Sequence, residues 1–411
     1  MFSPIKAKRL PLKVRLIVLG FLVGIIVAEL ALRLVGYSFP EFYVADVTRG
    51  YALRPNVQGW YRKEGESFVR INSDGFHDRE HSKAKPPHTI RVAVVGDSFA
   101  ESLQVPIDAT FWAIMEARLK ECAPQADSVE VLNFGVSGYG TAQELITLRE
   151  RVWNYSPDIV LLAITTNNDI TDNARLLRKT NDVPYFVYKE GQLVLDDSFR
   201  SASGFTWKQA TQIRPIRFFR DHSRVIQLTI EASRGLRLLL ASLRSSHKSS
   251  LVHSGYQKPD PRLLVQSVEL GIDNFVYVEP ANDTWTDAWR VTEDLIVKMC
   301  DEVRARGARF VAVTLSNGVQ VTPAPETRAA FMKQFGVTDL FYPDKRIRSL
   351  GDRKGFSVIT LAPPLQAYAE KNKVFLHGFG DSLGSGHWNV NGHRVAGEML
   401  AEKLCEEGFL K

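Results

Sequence analysis

Apolar and polar positions alternate with four different rhythms along the chain. The first is no alternation at all: "LIVLGFLVGIIVAELALRLVG", Leu16 to Gly36, is apolar without a break as far as Ala28. At ~1.5 Å of rise per residue such a helix spans roughly 31 Å, the thickness of a hydrocarbon core. The pattern predicts a transmembrane anchor over 16–36. Glu29 and Arg33, four apart on one helix face, are placed to pair near the interface. A cleaved signal peptide is the rival reading, but the run is long for one and no small-x-small site follows it.

The second stretch, 37–88, has no clear period. Its "RPNVQGW" and "INSDGFHD" carry turn residues, and it reads as a short β-rich lead-in. From Thr89 the rhythm becomes regular. "TIRVAVVG", "VEVLNFG", "DIVLLAITT", "ARFVAVTL" and "FSVITLA" are short β-branched runs of the kind buried on both faces. Helical periods separate them: 110–122 with Asp108 as cap, "TAQELITLRERVWNY", "TEDLIVKMCDEVRARG" and, at the end, "GHRVAGEMLAEKLCEEG". Strands alternating with helices predict an α/β fold, a doubly wound parallel sheet flanked by helices, over 89–411.

Between 175 and 285 that rhythm fails, which marks an inserted cap region. "VPYFVYKEGQLVLDD" reads as a hairpin turning at Glu190–Gly191. Residues 224–250 read as an amphipathic basic helix, either packed on the main domain by its leucines or touching lipid or an acidic polymer. Trp285 and Trp289, four apart in "DTWTDAW", suit helix packing better than a sugar platform.

Charge sharpens the picture. The net charge is +6, and Lys6, Lys8, Arg9, Lys13 and Arg15 supply most of it before the apolar run begins. A basic head on a near-neutral body points to a membrane and away from nucleic acid. The head, 1–15, is expected to stay cytoplasmic, with everything after Gly36 on the other side. Cys122, Cys300 and Cys405 share no metal-ligand spacing; one bridge with a spare thiol and three buried thiols both remain open, so they do not fix the compartment.

In a doubly wound sheet, ligands bind beyond the carboxyl ends of the strands. Three polar stretches follow strands, "GDSFAES" (96–102), "NFGVSGYGT" (133–141) and "TTNNDITDN" (165–173), and a fourth, "GSGHWNVNGH" (384–393), precedes the last helix. Their chemistry is complementary. Ser98 is a candidate nucleophile, and His387 a base that titrates near neutrality. The Ser98 N–H, the Gly138 N–H and the Asn168 amide are candidate donors to an oxyanion. His393 and His377 are lesser candidates for the base, and Asp97 and Asp169 suit loop support.

In these blocks the chain resembles the SGNH, or GDSL, hydrolase superfamily, whose four motifs are named for Ser, Gly, Asn and His. "GDSF", "NFGVSGYG", "NND" and "HWNVNGH" occur in that order, and "INSDGFHD" and "DTWTDAW" are similar to segments of bacterial membrane-anchored members. The resemblance covers roughly 45 to 400. It implies a serine esterase releasing an acyl group, acetyl foremost, from an envelope or extracellular glycan through an acyl-enzyme. It equally implies an O-acyltransferase if a sugar hydroxyl resolves that intermediate. The expected partners are an acylated glycan or small ester, the membrane through the N-terminal helix, and polysaccharide-assembly proteins. The expected location is a bacterial inner membrane with the catalytic domain facing the periplasm.

Two departures stand out. Ser102 replaces a glycine common in the first block. Gly384 stands where the family's acid precedes the histidine by three, and the nearest carboxylate is Asp381. Either Asp381 orients His387, or the site is a Ser–His dyad, or the domain binds glycans or scaffolds a polysaccharide-assembly complex without catalysis. No G-x-G-x-x-G, Walker lysine, G-x-S-x-G elbow or metal cluster appears, so no cofactor or metal is expected.

Overall fold

The structure is a computed structural model describing residues 11–410 except 124, 213, 234–235 and 237–273. Two bodies are distinct in it: Phe42–Ala210 with the described residues from 274 onward, and the N-terminal helix with the stretch that begins at Thr211.

The larger body is built on five parallel strands. These are β5 (Thr89–Gly96), β6 (Ser128–Asn133), β7 (Ile159–Thr165), β10 (Arg309–Leu315) and β11 (Ser357–Thr360). They lie side by side in the order β11-β10-β7-β5-β6. In chain order this is a 2-1-3-4-5 sheet whose winding reverses between β5 and β7, the switch point where such sheets bind ligands. The expected doubly wound parallel sheet is therefore present.

Successive side chains of these strands enter two separate cores. Ala93, Val95, Leu162 and Ile164 pack with α4 (Thr141–Glu150), α10 (Asp283–Ala305) and α13 (Tyr342–Lys354). Val92, Val94, Leu161 and Val313 pack with α3 (Phe111–Cys122), α14 (Ala362–Asn372) and α15 (Val390–Glu406). Burial on both faces is why these strands read as continuous apolar runs. Trp285 and Trp289 of α10 are buried in the first core, as packing residues. The cap of α3 is Thr110, whose hydroxyl accepts from Ala113 N, and not Asp108, which sits in the preceding turn.

The lead-in is not an appendage. Its four short strands pair as β1 (Tyr43–Asp46) with β2 (Gly50–Leu53) and β3 (Gln58–Tyr61) with β4 (Ser67–Arg70). Leu53, Val57, Val69 and Ile71 are buried in the first core beside α4 and the central sheet. The "INSDGFHD" motif is a docking turn. Asn72 Oδ1 accepts from Phe76 N at 2.9 Å, Asp78 accepts from Asn133 N at 2.7 Å, and buried His77 Nδ1 bonds Glu101 O at 2.7 Å.

The stretch from 175 is not one piece. The hairpin β8 (Tyr185–Lys189) and β9 (Gln192–Asp196) turns at Glu190–Gly191 as expected, both with positive φ. It and α7 (Ser203–Ala210) belong to the larger body, whereas α8 (Arg214–His222) and the helical residues 224–233, here α9, go with the N-terminal helix. The rest of the 224–250 expectation lies outside the described residues. The N-terminal helix α1 (Leu12–Leu34) has a mean hydropathy of 2.4 and length enough to cross a membrane. Within it Arg33 donates to Glu29 at 2.9 Å, the expected pair.

Candidate active site

Ser98 opens α2 (Ser98–Glu101), the single turn after β5, and is buried. Asp97 caps that turn. Its carboxylate accepts from Phe99 N at 3.0 Å, Thr165 Oγ1 at 2.9 Å and Asn168 Nδ2 at 2.9 Å. Asp97 thus ties the serine turn to the end of β7 and to α5 (Asn168–Thr171), which is loop support rather than chemistry. Burial nonetheless pushes its carboxyl above the ordinary range.

The turn ends at Ser102, in the left-handed region at φ 57°. Glycine is the easy residue there, and serine is held by its own hydroxyl, which donates to Phe99 O at 2.6 Å. The departure from the family's glycine leaves the backbone intact.

His387 meets Ser98: its Nε2 lies 2.8 Å from Ser98 Oγ. On the other side of the ring stands Glu64, and not Asp381. One Glu64 oxygen hydrogen-bonds His387 Nδ1, and the other accepts from the His387 backbone N–H at 2.7 Å. Asp381 lies exposed in the turn Gly380–Ser382. The carboxylate against the His387 ring is therefore Glu64, in the loop between β3 and β4, and not the expected Asp381. The physical reason is access. His387 leaves its loop with Nδ1 facing the lead-in, and Gly386, at φ 77°, lets the carboxylate in. A Cβ there would come within 2.2 Å of Glu64 Oε1.

The electrostatics follow the geometry. Burial disfavours a charged His387 ring, but the Glu64 hydrogen bond and charge outweigh it and raise His387 above its ordinary 6.5. Burial likewise works against the Glu64 carboxylate, and the hydrogen bonds and charge of His387 hold it below its ordinary 4.5. The two lesser candidates, His377 and His393, serve structure. His377 is buried between Ser316 Oγ at 2.9 Å and Gly386 O at 2.7 Å, and burial lowers it to about 4. His393 is buried against the Phe111 ring and accepts from Phe111 N, and burial lowers it to about 3. In the same motif Trp388 anchors the loop through Ser316, and Asn389 caps α15.

Gly138 and Asn168 follow β6 and β7, the two neighbours of β5 in the sheet. Gly138 has φ 71°, and a Cβ on it would press the Tyr51 hydroxyl at 2.7 Å. That hydroxyl donates to Ser137 O at 2.9 Å. Tyr51 therefore holds the peptide whose N–H belongs to Gly138, and Arg178, from α6 (Arg175–Arg178), hydrogen-bonds Gly138 O from the following peptide. Asn168 spends one amide hydrogen on Asp97 and keeps the other. Behind this loop Tyr43 donates to buried Glu101 at 2.8 Å, and burial raises the Glu101 carboxyl to about 7.

Of the residues singled out from sequence, Ser98 and His387 meet, Asn168 is tied to them through Asp97, and Asp381 stands apart. Glu64 and Tyr51 were missed. Nothing local in "RKEGES" marks Glu64, which lies 323 positions from its histidine. The one trace of it is the vacancy at Gly384. Among the described residues no group of side chains forms a metal site.

Comparison with known proteins gives a limited result. No family model matches the chain. No curated protein matches it. Solved structures do align with it. An acetyl xylan esterase, AlAXEase, is 13% identical with a TM-score of 0.35, over 77% of this chain and 100% of that one. A putative lipolytic protein of the G-D-S-L family from Desulfitobacterium hafniense is 10% identical with a TM-score of 0.33, over 76% and 98%. A lipase/acylhydrolase from Enterococcus faecalis is 11% identical with a TM-score of 0.35, over 77% and 96%. At these values the likenesses carry no weight beyond themselves, and the chemistry rests on the residues above.

Proposed function

We propose that this chain is a membrane-anchored serine esterase of the SGNH type that removes acyl groups, acetyl foremost, from a cell-envelope or extracellular glycan. The observation that carries the reading is the hydrogen-bonded series Ser98–His387–Glu64 at the switch point of the sheet. His387 takes the Ser98 proton as Oγ attacks the ester carbonyl, and Glu64 stabilises the imidazolium that forms. The oxyanion is received by the N–H groups of Ser98 and Gly138 and the remaining Asn168 amide hydrogen. The alcohol departs with the proton from His387, and water resolves the acyl-enzyme by the same route reversed. The bond between Glu64 and His387 favours catalysis over non-catalytic glycan binding, a reading that starts from the lack of an acid. Acetylated glycan is the substrate class that the four motif blocks imply.

The basic head before α1 supports a catalytic domain across the membrane from it. So does the bridge between Cys122 and Cys405, a bond that persists in oxidising compartments.

The test is acetate release from p-nitrophenyl acetate and from an acetylated glycan by the full-length protein in detergent. Ser98→Ala and His387→Ala should each lose about 10³–10⁶-fold in turnover. Equal rates in wild type and both variants overturn the esterase. An acetyl adduct on Ser98 that turns over only when a sugar acceptor is added assigns transfer instead of hydrolysis.

A further inference from the structure

We propose that α8 and the start of α9 lie in the interface of the bilayer that α1 crosses, fastened to α1 by Glu29. This rests on α1 being a membrane anchor. The first observation is the environment of Glu29. A carboxylate in the last turns of an apolar spanning helix is costly unless it is paired. Glu29 accepts from Arg33 Nε at 2.9 Å, Ser223 Oγ at 3.0 Å, Arg224 N at 2.9 Å and Val225 N at 3.0 Å. Its oxygens thus cap α9, and Arg33 also donates to His222 O at 2.5 Å. Glu29 stands five residues before Leu34, the end of α1. The α8–α9 junction is thereby held about 7.5 Å short of that end, at the boundary of acyl chains and headgroups rather than in bulk water.

The second observation is what this segment exposes. Ile216 is 42% exposed, Phe218 56%, Phe219 60% and Leu228 43%. Two adjacent phenylalanines left bare beside a spanning helix form an apolar patch with no core beneath it. The basic residues turn elsewhere: Arg217 donates to Gln212 O at 2.7 Å and Arg220 to Glu41 at 2.8 Å. Residues 211–233 hold four arginines against Asp221 and Glu231, and with Arg220 paired to Glu41 a small positive excess is left for anionic headgroups. Apolar side chains toward acyl chains, cations at headgroup level and continuity with the anchor all select lipid as the occupant.

The experiment places an environment-sensitive fluorophore on Phe218→Cys in the full-length protein, reconstituted in phosphatidylcholine–phosphatidylglycerol vesicles whose acyl chains carry bromine near the headgroup for reading positions 218 and 192 and near the chain end for reading position 23. Cys300 is buried and the other two cysteines are bonded, so the label goes to position 218. Val23→Cys, midway along α1, and Gln192→Cys, exposed at the start of β9, are the references. Quenching at 218 well above that at 192 is expected. Glu29→Gln should at least halve it without changing Val23. Strong quenching at 23 with 218 no different from 192 overturns the interfacial placement and leaves the anchor standing. Loss of quenching at 23 overturns both. Shielding of 218 from aqueous iodide without quenching by bromine assigns a protein partner and overturns lipid. Quenching at 218 that Glu29→Gln leaves unchanged overturns the fastening.

Discussion

At the scale of single residues, the site turns on where the third group comes from. Ser98 and His387 were legible in the sequence because each lies in a local block whose spacing its chemistry constrains. Glu64 was not, because a carboxylate needs only to reach the imidazole, and any loop that passes there can supply one. Glu64→Gln should lower kcat by about 10²–10⁴-fold, as loss of the orienting acid does in a serine protease, whereas Asp381→Asn should change it less than about twofold. The pH profile tests the same pair. His387 must be neutral to accept a proton, so activity is lost as pH falls through its raised pKa, and the acid limb of kcat/KM should lie above pH 6.5. Glu64→Gln removes the raising partner and should move that limb to lower pH. An unmoved limb would mean that Glu64 does not touch the titrating ring. Tyr51→Phe deletes the hydroxyl that holds the Ser137–Gly138 peptide. It should reduce kcat about tenfold with KM unchanged, the signature of an interaction used only in the transition state.

At the scale of elements, the strands and their order were readable because burial on both faces leaves no room for polar residues. The hairpin at Glu190–Gly191 was readable from its turn chemistry. The lead-in was not, since its short strands carry weak patterns and its place is set by contacts with β6, α2 and the first core. Its docking covers Glu101, whose carboxylate accepts from Tyr43 and whose backbone oxygen meets His77. Glu101 holds its proton up to about pH 7 in the folded protein, against an ordinary 4.5. The folded state therefore binds that proton more tightly than the unfolded chain. The stabilisation is complete below pH 4.5 and is lost as pH rises through 7. Wild-type Tm should fall between about pH 5 and pH 8, and Glu101→Gln should fall less over the same range. Buried Glu144 and Asp169, whose carboxyls burial also raises, keep part of the slope in the variant. Parallel curves would show that Glu101 titrates normally.

At the scale of the whole molecule, the Cys122–Cys405 bridge joins the ends of α3 and α15 across a sequence separation of 283 residues. Sequence left it undecided, because the two cysteines share no motif and meet only once both helices pack on one face of the sheet. Cys405→Ser should cost about 2–5 kcal/mol. The check is the denaturant midpoint, and the wild-type midpoint should move toward the variant's when reductant is added. Identical midpoints with and without reductant would mean that the bridge does not form.

The Ser98–His387–Glu64 series also reaches nearly from one end of the chain to the other. Glu64 leaves the ribosome soon after α1, Ser98 shortly after it, and His387 only just before α15. A chain cut short before His387 would carry its nucleophile without a base. One whose lead-in has not docked would carry the base without its acid. Under the proposed mechanism, a chain that stops short of His387 or whose lead-in is undocked is no working esterase, and hydrolysis begins only once all three groups have met.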